Sequence, residues 1–198
     1  MRRPFGVPSI DAQNVTSRAM RTHSITIVAS GLDHEADDFE DRLFEAGCDD
    51  ATISVQKGLI ILEFAREART FAAALISAMR DVRRAGATIE RVEPDHLVSA
   101  SDIASRSGIG RAAVSLYASG KRGEGFPHPV ARVTSDSPLW DWFEVASWMH
   151  HRKQLDLSVV LRAKMVREAN TYFRQSECGT SRLARHLKRT EGRELHAA

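Results

Sequence analysis

Apolar residues recur with two different periods along this chain, and each change of period marks an element. Ser24-Ile25-Thr26-Ile27-Val28 alternates and is rich in β-branched residues, so it reads as a strand. From Leu32-Asp33 to Ala46 the spacing becomes helical. Phe39, Leu43 and Phe44 form its apolar stripe, the acids Asp33, Glu35, Asp37 and Asp38 fill its first turns, where the helix dipole favours them, and Gly47 ends it. Thr52-Ile53-Ser54-Val55-Gln56 and Leu59-Ile60-Ile61-Leu62-Glu63-Phe64 are two further strands around the two-residue turn Lys57-Gly58. Thr70 begins a second helix through Phe71, Leu75, Ile76, Met79 and Val82, which Gly86 closes, and Thr88-Ile89-Glu90-Arg91-Val92 is the last strand. The order β-α-β-β-α-β is that of a ferredoxin-like split unit, two helices on one face of a four-stranded antiparallel sheet. That architecture serves small-molecule binding and protein pairing alike, so it selects no function by itself.

Pro94 breaks regular structure after the last strand and places a boundary near residues 93–97. The pattern beyond it is two short helices and a tight turn across residues 97–117. Ser101 or Ser99 caps the first helix, Ile103 and Ala104 form its buried face, and Gly108 supplies the turn, because a residue without Cβ takes the left-handed conformation at little steric cost. Val114 and Tyr117 lie three apart and face inward on the second helix, which turns Arg111, Ala112 and Ser115 outward. In DNA-binding helix-turn-helix units that outward face enters the major groove. The competing reading is an ordinary helical hairpin inside a larger core.

Lys121-Arg122-Gly123-Glu124-Gly125 is a basic, glycine-rich turn. The apolar alternation of Phe126-Pro127-His128-Pro129-Val130-Ala131-Arg132-Val133 suits a short wing strand paired with the approach to Ser137-Pro138-Leu139-Trp140. Residues 141–149 read as a helix offering Phe143, Val145, Ala146 and Met149 to the core. This order of helix-turn-helix, Gly-Phe-Pro-x-Pro-Val, Leu-Trp and a helix containing Val-Ala-x-Trp resembles the winged-helix DNA-binding domains of the excisionase and MerR-like group. It is also similar to a widespread set of bacterial, especially actinobacterial, helix-turn-helix proteins. In those the preceding segment carries phrases similar to Glu45-Ala46-Gly47-Cys48-Asp49-Asp50-Ala51-Thr52 and Arg91-Val92-Glu93-Pro94-Asp95. The resemblance covers roughly residues 24–150 and implies a winged-helix fold and DNA binding.

Charge sharpens this division. Residues 1–22 carry four basic and one acidic side chain, 23–95 eight and fifteen, and 96–198 sixteen and ten, so an overall charge of +2 conceals segments of +3, −7 and +6. A basic half suits phosphate and an acidic half repels it. The expected organisation is α+β: a basic arm over 1–22, an acidic ferredoxin-like domain over 23–95, a winged helix-turn-helix domain over 96–153 and a basic helical extension over 154–198. The arm reads either as a minor-groove tracker or as a plain flexible terminus. The extension carries Val159, Leu161, Val166, Ala169, Tyr172 and Phe173 on a helix that Ser158 can cap. That helix either lies back across the two domains or pairs with its copy in a second chain. Residues 182–189 form a short basic amphipathic segment with Leu183 and Leu187 one turn apart.

Candidate chemistry narrows the function further. Glu35, Asp37, Asp38, Glu40 and Asp41 occupy several helix faces without a His or Cys beside them, which suits a solvated or partner-binding surface rather than catalysis. His150 and His151 point in different directions on a helix and do not make a metal pair; a solvated or phosphate-near role is expected of them. Cys48 and Cys178 are isolated and read as buried or idle thiols. No nucleophile-and-base spacing, phosphate loop or metal cluster is present, so no enzyme, cofactor, catalytic residue or metal site is expected. Without a signal-peptide core or a long apolar run, the expected location is the cytoplasm, at the nucleoid, with no membrane partner.

The expected function is a sequence-specific transcription regulator that binds double-stranded DNA as a homodimer. Its contact residues would be Ser101, Arg106, Gly110, Arg111, Ala112, Ser115, Lys121, Arg122 and Arg132, with Arg111 reading a base edge and Lys121, Arg122 and Arg132 holding phosphates. The alternative is an antitoxin-like or mobile-element adaptor whose acidic N-terminal domain binds a protein partner.

Overall fold

The computed structural model describes residues 19–175 together with 185, 187–189 and 192. The first layer is built from β1 (Arg21–Ser30), α1 (Phe39–Glu45), β2 (Ala51–Gln56), β3 (Leu59–Ala68), α2 (Phe71–Arg84) and β4 (Thr88–Glu93). The four strands form one antiparallel sheet in the order β2-β3-β1-β4. Alternation decides which face is covered: Ile25, Ile27 and Ala29 of β1 and Ile60, Leu62 and Phe64 of β3 are buried with Phe39 and Leu43 of α1 and Ala74, Leu75, Ala78, Met79 and Val82 of α2. The opposite face carries Ser24 and Thr26, Thr52 and Ser54, and Glu63, Ala65 and Glu67.

Local chemistry explains most boundaries. Lys57 and Gly58 both have positive φ, 53° and 76°, the pairing required by a two-residue hairpin between twisted strands. The Thr70 hydroxyl accepts from the Ala73 amide 3.1 Å away and so caps α2.

Three expectations need correction here. The first strand begins at Arg21, inside the stretch assigned to the arm, of which residues 1–18 lie outside the described residues. Helix α1 starts at Phe39 rather than near Leu32, because the Asp33 carboxylate accepts the Glu35 amide at 3.0 Å and turns the chain before a helix can form. Phe44, expected in the stripe, is 66% exposed; on a helix it lies about 100° round from Leu43 and misses the sheet.

A second core follows. Strand β5 (Leu97–Val98) pairs with β6 (Trp140–Asp141), and between them run helices α3 (Ala100–Ser107) and α4 (Arg111–Ala118). Helices α5 (Trp142–His151) and α6 (Leu157–Gln175) complete the described chain. Val98, Ile103, Val114, Tyr117, Phe126, Trp140, Trp142, Val145, Ala146 and Met149 are buried together. The Asp141 carboxylate caps α5 by accepting the amides of Phe143 and Glu144.

Of the two fates considered for the last helix, the described chain takes the internal one. Val160 and Ala163 of α6 belong to the second core, and Met165, Val166 and Ala169 to the first, so one helix packs on both. It begins at Leu157, which puts the exposed Ser158 inside its first turn rather than at the cap. Its most specific contact is Asn170, whose amide accepts from the Val92 N–H at 2.7 Å and donates to the Val92 carbonyl at 2.9 Å. The free edge of β4 is thereby bonded to a side chain that imitates a strand. Arg167 of α6 holds Glu144 of α5 at 2.9 Å. Half of the basic segment 182–189 lies outside the described residues, as does Cys178, but Leu187 is buried in the first core.

Cys48 is buried beside Asp81, Arg66 and Asp50. Burial first, then the Asp81 charge, pushes its thiol up to about 11, so it remains protonated at neutral pH. No helix among the described residues is long and apolar enough to cross a membrane.

Candidate nucleic-acid interface

Helix α3 is capped reciprocally, and the capping residue is Ser99 rather than Ser101. Its hydroxyl accepts the Asp102 amide at 3.2 Å, while the Asp102 carboxylate accepts the Ser99 amide at 2.8 Å and the Ser99 hydroxyl at 2.7 Å. Gly108 closes the helix with φ +70°, in the left-handed region reserved for residues without Cβ. After Ile109, α4 begins at Arg111 with Gly110 as its N-cap and no side-chain oxygen over its first amides. Val114 and Tyr117 turn inward onto Ile103, and Arg111, Ala112, Ser115 and Leu116 are exposed on the other side.

The hydrogen bonds that hold the Asp102 carboxylate, chiefly from the Ser99 hydroxyl and then its amide, keep its pKa below the usual 3.8. A carboxylate stabilised in the folded state contributes fully above 3.8 and loses that contribution as pH falls through its lowered folded value. Ser99→Ala is accordingly expected to destabilise the chain by about 1 kcal/mol at neutral pH. In urea titrations its difference from the native chain should narrow in acid, and a difference unchanged by acid would assign the cost to something other than the cap.

An aromatic cluster fastens the basic turn to the end of α4. Tyr117 lies 5.8 Å from Phe126 and 5.1 Å from Trp148, and Phe126 lies 5.1 Å from Trp148, centroid to centroid. The Trp148 indole donates to the Glu124 carbonyl at 3.2 Å, and the Arg122 amide donates to the Leu116 carbonyl at 3.1 Å. Arg122 sits over the Tyr117 ring at 5.8 Å. Arg152, which the sequence pattern left as part of a basic helix end, belongs to this turn: it donates to the Glu124 carbonyl at 2.8 Å and lies 4.3 Å over Trp148. Farther along, the wing strand expected over 126–133 is reduced to a single antiparallel bridge, Ala131 to Leu139, because Pro127 and Pro129 have no N–H to offer a ladder; the hairpin loop it closes carries the exposed Val133. Arg132 stands in that hairpin with φ +51°.

The nine candidate residues therefore separate. Arg111, Ala112 and Ser115 share one exposed face of α4, with Gly110 at its start. Lys121 and Arg122 stand in the turn that follows α4, exposed, while Arg132 is exposed in the hairpin. Ser101 is exposed on the first turn of α3. Arg106 departs from the set: its Nη1 donates to the Asp95 carbonyl at 2.9 Å and its guanidinium lies 5.5 Å over the Trp142 ring, so it faces the junction between the two cores. Of the adjacent histidines, His151 is exposed with its Nδ1 at the Ser147 carbonyl, and His150 is half-buried with its Nδ1 at the Leu155 carbonyl. Signals for Arg152 and Leu116 were present, one in the run of basic residues after α5 and the other in the apolar residue between Ser115 and Tyr117, but each needs the folded turn to be read.

No protein-family model, curated protein or solved structure matches the chain.

Proposed function

We propose that the chain is a sequence-specific DNA-binding regulator of transcription in a bacterial cytoplasm, built from a ferredoxin-like domain and a winged helix-turn-helix domain. One observation carries the reading. The exposed face of α4 presents Arg111, Ala112 and Ser115 from a helix fixed on its other side by Val114 and Tyr117, and the basic turn is packed directly against its end. The strand order β2-β3-β1-β4 supports the ferredoxin-like part, and the Ala131–Leu139 hairpin supports the wing. Arg111 supplies a two-pronged donor for a guanine edge, while Lys121, Arg122, Arg132 and Arg152 hold phosphates and set register. No catalytic residue, cofactor or metal enters this reading. A single unit spans few base pairs, so the DNA-bound form is a homodimer on half-sites about 34–36 Å apart.

Anisotropy titrations against the gene's own upstream DNA, repeated over a range of salt, test this. Arg111→Ala should lose about 1–3 kcal/mol of discrimination at one base position. Lys121→Ala with Arg122→Ala should weaken all sequences alike and flatten the slope of log K against log salt by roughly two. Unchanged sequence preference in Arg111→Ala would falsify the base-reading role.

The exposed Phe44 beside Glu40, Asp41 and Glu45 favours a second reading, an adaptor whose acidic domain binds a protein partner. Stoichiometric co-purification of a partner that Phe44→Ser releases would favour it.

A further inference from the structure

Where the two cores meet α6, a cleft of 280 Å³ opens between β4, α2, α3 and α6. Its walls are mainly apolar, from Phe71, Trp142, Val159 and Val166, and its ionisable groups are Arg106, Arg162, Glu93 and His96. The charges are not balanced across it. Glu93 is already engaged by Arg91, which donates to it at 2.8 and 3.0 Å. Arg106 has no ion pair with a described carboxylate; its one hydrogen bond goes to a neutral carbonyl, although a guanidinium has five N–H donors. Desolvation by burial pulls its pKa down against the opposing, more distant charges of Asp102, Asp95 and Glu93. Arg162 likewise rests over an aromatic ring, Phe71, at 5.3 Å, rather than on an acid.

We infer that this cleft binds a small amphipathic monocarboxylate, with the carboxylate on Arg106 and Arg162 and a short aliphatic or aromatic body between Phe71, Trp142 and Val166. Complementary charge and a dry wall favour such a ligand together: the anion gives a direct partner to a cation whose balancing carboxylates stand farther off, in surroundings where the pairing is weakly screened. The volume lies just below the roughly 300–1,000 Å³ of ligand pockets, which suits a small acid better than a nucleotide. The site engages α3 and α6, so it is separate from the exposed face of α4.

Calorimetric titration of the DNA-free full-length protein decides the matter, with octanoate and benzoate as probes, 1-octanol as the uncharged counterpart and acetate as charge without a body. Octanoate or benzoate should bind saturably, at least tenfold tighter than octanol or acetate, with quenching of tryptophan fluorescence. Arg106→Met should weaken that binding about tenfold or more, while Arg152→Met on the far turn leaves it unchanged. If Arg106→Met does not fold, the exposed Arg162→Met carries the same expectation. Absence of saturable binding by both acids, octanol binding as well as octanoate, or affinity indifferent to whichever arginine variant folds would each overturn the assignment. None of these results depends on whether the chain binds DNA.

Discussion

Replacing Arg66 by methionine is expected to destabilise the chain by about 3–5 kcal/mol, the cost of leaving one partner of a buried ion pair without the other. Arg66 stands on the covered face of β3, in line with Leu62 and Phe64. Its Nε and Nη2 donate to the two oxygens of Asp50 at 2.7 and 2.6 Å, its Nη1 to Asp81 at 2.5 Å, and its Nη2 also to the Gly47 carbonyl at 2.8 Å. Burial alone would lower the guanidinium pKa, but the hydrogen bonds and charges of Asp50 and Asp81 outweigh it and the net direction is upward. Asp81 is 3% exposed, and without Arg66 its one ion-pair partner among the described residues is the largely exposed Arg80. Urea denaturation reads the loss. Arg66→Met combined with Asp81→Leu should be less destabilised than Arg66→Met alone, because the orphaned carboxylate is gone. A single-variant cost below about 1 kcal/mol would show that water reaches the cluster and screens it.

Gly123→Ala should remove about 2–4 kcal/mol, summed from a positive-φ penalty and an overpacked core. Its φ is +75°, and a Cβ there would meet Tyr117 Cδ1 at 2.6 Å and Trp148 ring carbons at 3.0 Å, neither of which has room to retreat inside the aromatic cluster. Gly120, with φ +69° and nothing within 4 Å of an added Cβ, is the matched control and should cost only the conformational part, about 1 kcal/mol. On the proposed function the two variants also separate in DNA binding, since only the first displaces the turn bearing Lys121 and Arg122. Equal melting of Gly120→Ala and Gly123→Ala would refute the steric account.

Periodicity and turn chemistry were sufficient wherever a residue's role depends on its near neighbours. The four strands of the first sheet, the Lys57-Gly58 hairpin, the Thr70 cap, the Gly108 turn and the inward pair Val114 and Tyr117 all follow from spacing and backbone freedom, whereas the two-residue strands β5 and β6 are too short to show a period. The start of α1 is ambiguous because the acids of residues 33–38 suit a helix N-terminus and an Asx turn equally, and the turn wins at Asp33; Phe44 cannot share the stripe of its neighbour Leu43, from which it is turned by about 100°. Arg106 looks like a basic residue on a DNA-binding helix; only the folded position of Trp142, far along the chain, turns it elsewhere. Helix α6 posed the hardest case. Ala163, Val166, Asn170 and Phe173 are spaced as one stripe, and a polar residue within that stripe signals a buried polar partner, but nothing local says that the partner is a strand edge.

The Asn170 bonds to Val92 also limit how copies of the chain can join. A sheet lengthens by accepting a strand at an open margin, and β4 cannot pair through Val92 while that amide occupies it. Neither margin, at β2 or at β4, has a further strand beside it among the described residues, but only that of β4 carries a side-chain amide in a strand's place. Two molecules joined at β2 would leave outward the two β4 margins, each held at Val92 by α6, which disfavours propagation into a fibre.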